Sequence, residues 1–314
     1  MKQREAAVRR KLTGAEGFES YYADLLHFRW LALREALLQP PLYVQIDFSG
    51  ADAVCRPYFI DAASVCAALC LPLPAGGNVL DLCAAPGGKS LVLAGGLRED
   101  SVLHGNELSP ERKSRLDKVL DASLPASLRN RVVTSCSDGA TWCRRETAAF
   151  SAVLLDAPCS SERHVLTDGK YLSQWSASRI RSLVSRQWAL LSSAFRLLQE
   201  GGFLLYATCA LAPDENDGVL ARLFKKFPDA RRMERPDLTD LFEERLDSFS
   251  GMLRTQGGED AAGLLRTTFS LAEETELGLQ VLPDRGAGAG PLFFSLICKA
   301  ADRTIGSVAG AMTP

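Results

Sequence analysis

The sequence predicts an α/β fold: a mainly parallel, twisted sheet with helices on both faces, a C-terminal antiparallel hairpin and a small N-terminal helical region. Three observations carry this. From Val79 onward, short apolar runs alternate with stretches of helical period. Successive apolar runs end in a carboxylate, at Asp81, Glu107 and Asp156. The first of them, Val79-Leu80-Asp81, passes through a loop of small residues directly into a new apolar segment beginning at Leu91.

The elements follow in order. Phe18, Tyr21, Tyr22, Leu25, Leu26, Trp30, Leu33 and Leu37 recur at helical spacing, predicting one or two amphipathic helices stopped by Pro40-Pro41. Leu42 to Phe48 reads as a strand, and Asp61 to Leu71 as an apolar helix ended by Pro72 and Pro74. Val102 to Glu107 is the next strand after Asp81. Ser109 caps the following helix, with Pro110 at its first position and Arg112 nearby. Val132 to Thr134 is a short strand leading into Ser137-Asp138-Gly139, and Ala152 to Asp156 is another. A long helix runs from Ser178 to Leu198, broken by Gly201-Gly202 before a strand at Phe203 to Tyr206. A helix over Asn216 to Phe227 follows. The acid-rich stretch from Asp237 to Asp284 reads as a variable insert with helical pieces, about 237–278. Gly286 to Pro291 is a flexible loop joining Leu279–Leu282 to Leu292–Ile297 as a closing hairpin, and the tail beyond Ala300 frays. The expected organisation is a helical extension over 1–50 and a catalytic domain over 51–314.

The loop Asp81-Leu82-Cys83-Ala84-Ala85-Pro86-Gly87-Gly88-Lys89 is the centre of the chain. Its small residues let a ligand approach the backbone, and the helix after Gly88 aims free N–H groups at that ligand. It is not a P-loop, because Cys83 stands where the first glycine is required, and the Gly-x-Gly-x-x-Gly fingerprint is absent. Ligands of open α/β sheets sit at the carboxyl ends of the strands. Asp81, Glu107, Asp138 and Asp156 line that rim, where a carboxylate accepts from ribose hydroxyls or an exocyclic amine. Taken singly, each acid is a helix cap or a solvated strand end; four at successive strand ends favour a site.

Two further strings place a cysteine just past an apolar strand: Asp156-Ala157-Pro158-Cys159-Ser160-Ser161, and Thr208-Cys209-Ala210-Leu211-Ala212-Pro213-Asp214-Glu215-Asn216. Either cysteine alone is a buried structural thiol on burial statistics; the pair on one rim is not.

Together these three strings resemble the S-adenosylmethionine-dependent RNA cytosine-C5 methyltransferases, the NOL1/NOP2/Sun family, over about Phe18 to Ala300. The resemblance implies a Rossmann-like class I methyltransferase fold. It implies that Cys83, Ala84, Ala85, Pro86, Gly87, Gly88 and Lys89 line the methionine part of the cofactor, with Asp156 also bordering it. By the same resemblance, Glu107 takes the ribose hydroxyls and Asp138 lies near the adenine. It further implies that Cys209 is the nucleophile that adds to cytosine C6, that Cys159 promotes the later elimination as base, and that Asp156 is protonated and bonded to cytosine N3. A free thiol has a pKa of about 8.5, so Cys209 needs help to ionise, which helix N-termini and a cationic cofactor supply. The sequence departs from the family at Ala210, where Ser or Thr is usual, which puts a local hydrogen bond in doubt. Arg163-His164 after the Pro-Cys string is similar to the compact branch that includes mitochondrial ribosomal-RNA and transfer-RNA enzymes.

Composition bounds the rest. A 314-residue chain with near-neutral charge has ample core, and no window approaches a membrane span. Met1 to Lys11 is basic, contains Glu5 and lacks the apolar run of a secretory signal. Nine scattered cysteines without Cys-x-x-Cys, and three histidines without ligand spacing, argue against zinc and for free thiols in a reducing cytoplasm, or in mitochondria for a eukaryotic source. RNA, ribosomal or transfer, is the expected partner of a monomer. It would be held by Arg163, His164, Lys170, Arg179, Arg181 and Arg186, or by Arg222, Lys225, Lys226, Arg231, Arg232 and Arg235, with Arg29 and Arg34 in reach. Tyr171 and Trp175 either stack on bases or pack internally. No added RNA-binding domain is legible, so an accessory protein or a structured precursor is expected to help select the target. Two rivals stay open: a catalytically idle assembly factor of this fold, and a methyltransferase for a non-RNA substrate.

Overall fold

The structure is a computed structural model that describes residues 12–50, 54–98, 100–255, 257–258 and 260–301. The basic start and the tail from Asp302 lie outside the described residues. Helices α1 (Gly14–Leu26) and α2 (Trp30–Leu38) open the chain, followed by β1 (Tyr43–Ile46), β2 (Tyr58–Asp61) and α3 (Ala62–Leu69). The alternation then runs β3 (Gly77–Asp81), α4 (Gly88–Gly95), β4 (Ser101–Glu107), α5 (Pro110–Ser123), α6 (Ala126–Arg129), β5 (Val132–Cys136) and β6 (Phe150–Asp156). It continues through α7 (Glu162–Thr167), α8 (Gly169–Ser173), α9 (Ala177–Leu197), β7 (Leu198–Thr208) and α10 (Asp217–Lys226). The C-terminal part is β8 (Ala230–Arg232), α11 (Arg235–Phe249), β9 (Leu253–Arg254), α12 (Ala261–Ser270), β10 (Glu273–Glu274), β11 (Leu279–Val281) and β12 (Leu292–Lys299).

Among the described residues, nine strands form one sheet in the order β10-β11-β12-β7-β6-β3-β4-β5, with β8 paired to β12. The five strands β5, β4, β3, β6 and β7 are parallel, and β12 runs antiparallel to β7. The chain steps outward from β3 through β4 to β5, then returns to lay β6 on the other side of β3. The order reverses there, and such a reversal opens a crevice at the strand ends. Asp81 and Asp156 are the last residues of the two strands that flank it. The mainly parallel sheet, the helices on both faces and the closing hairpin are as the sequence predicts.

One face of the sheet packs against α3, α4, α5, α11 and α12; the other is covered by α9 and α10. A third cluster joins Phe18, Tyr22, Trp30, Leu33 and Leu37 of the N-terminal helices to Val165, Trp175, Ile180 and Leu211. The N-terminal helices therefore pack on the segment that follows the first cysteine string and on Leu211 within the second. Ser109 caps α5 through the Arg112 N–H (3.3 Å), with Pro110 at the first position, as expected.

Several local expectations are corrected. Gly201-Gly202 does not end the long helix: α9 stops at Leu197, β7 begins at Leu198, and Gly201 takes φ +74° in a bulge inside that strand. The stretch 237–278 carries the expected helical pieces, α11 and α12, and Leu238, Phe242, Leu246 and Phe249 of α11 are buried in the main core. The loop Gly286 to Pro291 is anchored. Its Gly290 N–H donates to both carboxylate oxygens of Asp61 (3.1 and 3.0 Å), and the Gly290 carbonyl accepts from Arg163.

The basic residues expected on RNA are partly engaged within the protein. Arg29 grips Glu273 and Asp284, fastening the N-terminal helices to the C-terminal hairpin. Arg34 pairs with Glu19. Arg163 donates to the carbonyls of Leu37, Gln39 and Gly290. Arg222 lies 4.8 Å over the Trp188 ring, Arg232 pairs with Glu234, and Arg231 and Arg235 cap backbone carbonyls. Trp175 is 3% exposed and packs on Phe18, Tyr21 and Tyr22. Lys170, Arg179, Arg181, Lys225 and Lys226 stay exposed.

Candidate active site

The loop after β3 is shaped by its glycines. Gly87 sits at φ +122°, where an L side chain is strained. A Cβ on Gly88 would meet Ile60 and Tyr58 at 2.9 Å, so only glycine lets α4 start against β2. The resulting cleft, about 280 Å³, is lined by Asp81, Cys83, Ala84, Ala85, Pro86, Gly88, Lys89 and Asp156.

Asp81 is buried at its floor. Ser90 donates to Oδ2 (2.6 Å), while Oδ1 has no partner among the described residues. Burial pushes its carboxyl up to about 7. At the end of β4, Glu107 accepts from the Leu108 and Ser109 N–H groups on Oε1. Its buried Oε2 accepts no hydrogen bond among the described residues and faces Arg112 Nη2 at 3.3 Å. Arg112 also donates to the Ala85 carbonyl (2.8 Å), so it clips Glu107 to the small-residue loop. The only sequence signal for that role is the proximity of Arg112 to the helix cap.

Lys89 Nζ donates to Asp156 Oδ2 at 2.7 Å. Burial acts to lower the Lys89 pKa, but the charge and hydrogen bond of Asp156 outweigh it and leave the ammonium above its ordinary value. Burial pushes the Cys83 thiol up. Asp138 stands apart from the other acids. It accepts from Arg186 (2.6 Å) and from the Ala140 N–H, which together hold its carboxyl below the usual range. It is not among the residues lining the adjoining 340 Å³ cavity; Arg186 is, with Glu107, Arg112, Asp156, Pro158, Cys159 and Cys209.

Cys159 follows β6 and Cys209 follows β7, so adjacent parallel strands deliver both thiols to one edge. Their sulfurs are 2.9 Å apart, and all nine cysteines are free. The Cys209 N–H donates to Cys159 Sγ (3.3 Å). Ser161, at φ +54° in the left-handed region, sets its hydroxyl 3.3 Å from the Cys209 sulfur and 3.5 Å from that of Cys159. The hydrogen bond with the Cys209 sulfur, then burial, push the Cys159 thiol well above its ordinary value. A third and larger cavity, about 640 Å³, opens on Cys209, Asp156, Lys89 and Ser161 and runs out past Tyr43, His164, Pro40 and Pro41. Asp156 lies on the walls of all three cavities. The missing hydroxyl at Ala210 leaves the turn intact. The Ala210 N–H donates to Thr208 Oγ1 (3.2 Å), and its carbonyl accepts from Asn216 (3.0 Å).

Behind the thiols lies a buried polar layer. Glu215 Oε2 accepts from the Ser160 N–H (3.0 Å) and from Gln187 (2.7 Å), which also reaches the Pro158 carbonyl. Burial, then the charge of Glu162, raise the Glu215 carboxyl from 4.5 to about 7. The folded protein holds this proton more tightly than the unfolded chain. The contribution is full below about pH 4.5 and is lost as pH rises through about 7. It amounts to roughly 3 kcal/mol over that range. Urea unfolding of the wild type should therefore lose stability between about pH 5 and 7.5 more steeply than Glu215→Gln, whose amide mimics the protonated acid. Equal slopes would show that Glu215 is ionised throughout.

Comparison with known proteins shows the family. A family model described as 16S rRNA methyltransferase RsmB/F matches residues 68–250. The chain is 33% identical over 249 residues to the Bos taurus protein named 5-cytosine rRNA methyltransferase NSUN4, covering 77% of this chain and 59% of that one. It is 32% identical over 245 residues to the Danio rerio protein named mitochondrial tRNA (cytosine(34)-C(5))-methyltransferase, covering 77% and 60%. It thus spans somewhat under two thirds of the length of these relatives. The crystal structure of a methyltransferase homolog protein from Pyrococcus horikoshii shares the fold, with a TM-score of 0.63 at 20% identity, over 92% of this chain and 96% of that one. By the match of the family model and the relatives' identity, the chain belongs to the RsmB/F methyltransferases, within the NOL1/NOP2/Sun family that its motifs resemble.

Proposed function

We propose that this chain is an S-adenosylmethionine-dependent methyltransferase for C5 of cytosine in ribosomal or transfer RNA. The observation that carries the reading is the contact of two free thiols, 2.9 Å apart, where two cavities meet beside Asp156.

The cleft residues fit the cofactor. Asp81 Oδ1 and Glu107 Oε2 are buried acceptors without a hydrogen-bond donor among the described residues, and a ribose diol brings donors. Glu107, on the wall of the adjoining cavity, would hold the ribose, and the backbone of Ala84 to Gly88, with Cys83, Lys89 and Asp156, would line the methionine part; of that loop all but Gly87 line the cleft. Asp138 would bear on the adenine side through Arg186. Bound there, S-adenosylmethionine supplies a methyl group activated on a sulfonium. C5 of cytosine is too weak a nucleophile to accept it unaided. Cys209, as thiolate, adds to C6 and makes C5 enamine-like. Asp156 and Lys89 hold the ring on its polar edge. Once C5 is methylated, Cys159 takes the C5 proton, the C6–S bond breaks, and Cys209 is released.

The same reading takes 51–314 as the catalytic domain, 1–50 as a helical extension and the protein as a monomer in cytoplasm or mitochondria. The extruded base would enter the 640 Å³ cavity, with exposed Lys170, Arg179 and Arg181 available to phosphates, and an accessory RNA-binding protein would share target selection.

The test supplies the protein with methyl-labelled donor and total RNA, then digests the RNA to nucleosides. Label is expected in 5-methylcytidine. Label in another nucleoside or in protein would replace the reading with a different methyl acceptor, and no label anywhere would favour an assembly factor.

A further inference from the structure

We infer that Glu162 and Tyr22 are positioning residues that hold the two cysteine loops in contact, so that the N-terminal helices complete the catalytic centre. The inference rests on the proposed roles of Cys159 and Cys209, and it adds the reason their sulfurs meet.

Three chain segments converge on the Glu162 carboxylate. The Ser160 hydroxyl, one residue past Cys159, donates to Oε1. The Leu211 N–H, two residues past Cys209, donates to Oε2 at 3.1 Å. The Tyr22 hydroxyl, from α1, also donates to Oε1. Glu162 and Tyr22 are both 0% exposed. One carboxylate therefore ties the loop after β6 to the loop after β7, and a residue 140 positions away in sequence fixes that carboxylate in place.

No Lys or Arg among the described residues pairs with Glu162; its partners are neutral donors. A buried carboxylate served only by neutral donors is unfavourable to desolvate, and an apolar side chain in its place would leave the Ser160, Tyr22 and Leu211 donors unpaired. What an apolar side chain lacks is the ability to hold two loops at one separation. Glu162 does so at the first residue of α7, directly after Ser161, whose hydroxyl lies beside both sulfurs. Tyr22 is held in turn by aromatic packing against Phe18, Trp30 and Trp175. The Tyr22 hydroxyl thus links the N-terminal cluster to the carboxylate that joins the two cysteine loops.

Hydroxyl donors can turn and accept instead, whereas the Leu211 N–H cannot. A glutamine at 162 keeps an acceptor for Leu211 and offers its NH₂ to the hydroxyls of Ser160 and Tyr22. An alanine offers neither.

The experiment measures thiol spacing directly in the full chain. Phenylarsine oxide condenses with two neighbouring thiols, forming two As–S bonds and releasing water. The wild type should bind one tight equivalent that Cys159→Ala lacks. Tyr22→Phe and Glu162→Ala should weaken that equivalent about tenfold or more, the effect of losing a buried charge-assisted hydrogen bond. Glu162→Gln should stay within about threefold of wild type, as rescue by the conservative variant. Thermal midpoints are recorded alongside. A lowered midpoint with unchanged arsenical affinity would overturn the inference and leave Glu162 a packing residue. If Glu162→Ala does not fold, Tyr22→Phe decides. Tight arsenical binding in a protein that methylates no cytosine would sink the proposed function and spare the inference. Cytosine methylation with arsenical affinity indifferent to both residues would do the reverse.

Discussion

Cys209→Ala abolishes methyl transfer to RNA, with an expected loss of roughly ten-thousand-fold or more, the scale seen when a covalent nucleophile is removed. The size follows from the substrate. Without a bond at C6, C5 keeps its aromatic electron distribution and has no nucleophilic character to offer the methyl group. No neighbouring group replaces the thiol well. The Ser161 hydroxyl is 3.3 Å from the Cys209 sulfur, but a hydroxyl is far less acidic and less nucleophilic at neutral pH. Cys209 does not line the 280 Å³ cleft of the small-residue loop, although it does line the adjoining cavity with Glu107, so affinity for the methyl donor should fall far less than turnover. Initial rates with labelled donor, alongside calorimetric titration of the donor, separate the two. Residual activity within about tenfold of wild type would remove Cys209 from the role of nucleophile.

What is legible in this sequence is local. A strand that ends in an acid and turns through Ala-Ala-Pro-Gly-Gly needs only its own neighbours to be recognised, so Asp81, Glu107 and Asp156 fall on the rim by pattern alone. Ser109 and Pro110 announce their helix for the same reason. The residues whose roles differ from expectation share another property: their partners lie far away along the chain. Arg29 finds Glu273 and Asp284 at separations of 244 and 255 positions, and Arg163 finds Gly290 at 127. A basic residue bound to distant acids or carbonyls is indistinguishable in sequence from one left free for phosphate. Strand order places Asp138 on the rim, but Arg186, 48 residues on, takes its carboxylate. Glu162 looks like an ordinary residue after a Pro-Cys string, because both Tyr22 and Leu211 reach it only through tertiary packing. Gly201-Gly202 has the local habit of a helix stop. The register between β6 and β7 instead needs an extra kink within the strand.

Cys159→Ala should give the second large effect, and its signature is accumulation rather than loss. The Cys159 thiol is held protonated chiefly by Cys209 beside it, through hydrogen bond and charge, and by burial. On the proposed mechanism, the Cys209 sulfur bonded to C6 is a neutral thioether. The influence of Cys209 is then gone while burial still acts, so ionising Cys159 is less unfavourable after the C6–S bond forms than before it. This ordering protects the first step, because a Cys159 thiolate facing a Cys209 thiolate at contact distance would make both anions unfavourable. With alanine at 159, methyl transfer still proceeds once, but the C5 proton has no acceptor and the enzyme stays bonded to methylated RNA. A nuclease-sensitive band of reduced mobility should appear on denaturing gels, holding the larger part of the protein, with turnover down about a thousandfold. The band should vanish in the Cys159→Ala, Cys209→Ala double variant, which ties it to the C6–S bond. Continued turnover without a band would assign the base to another group, with Ser161 the first to replace, since its hydroxyl also reaches Cys209.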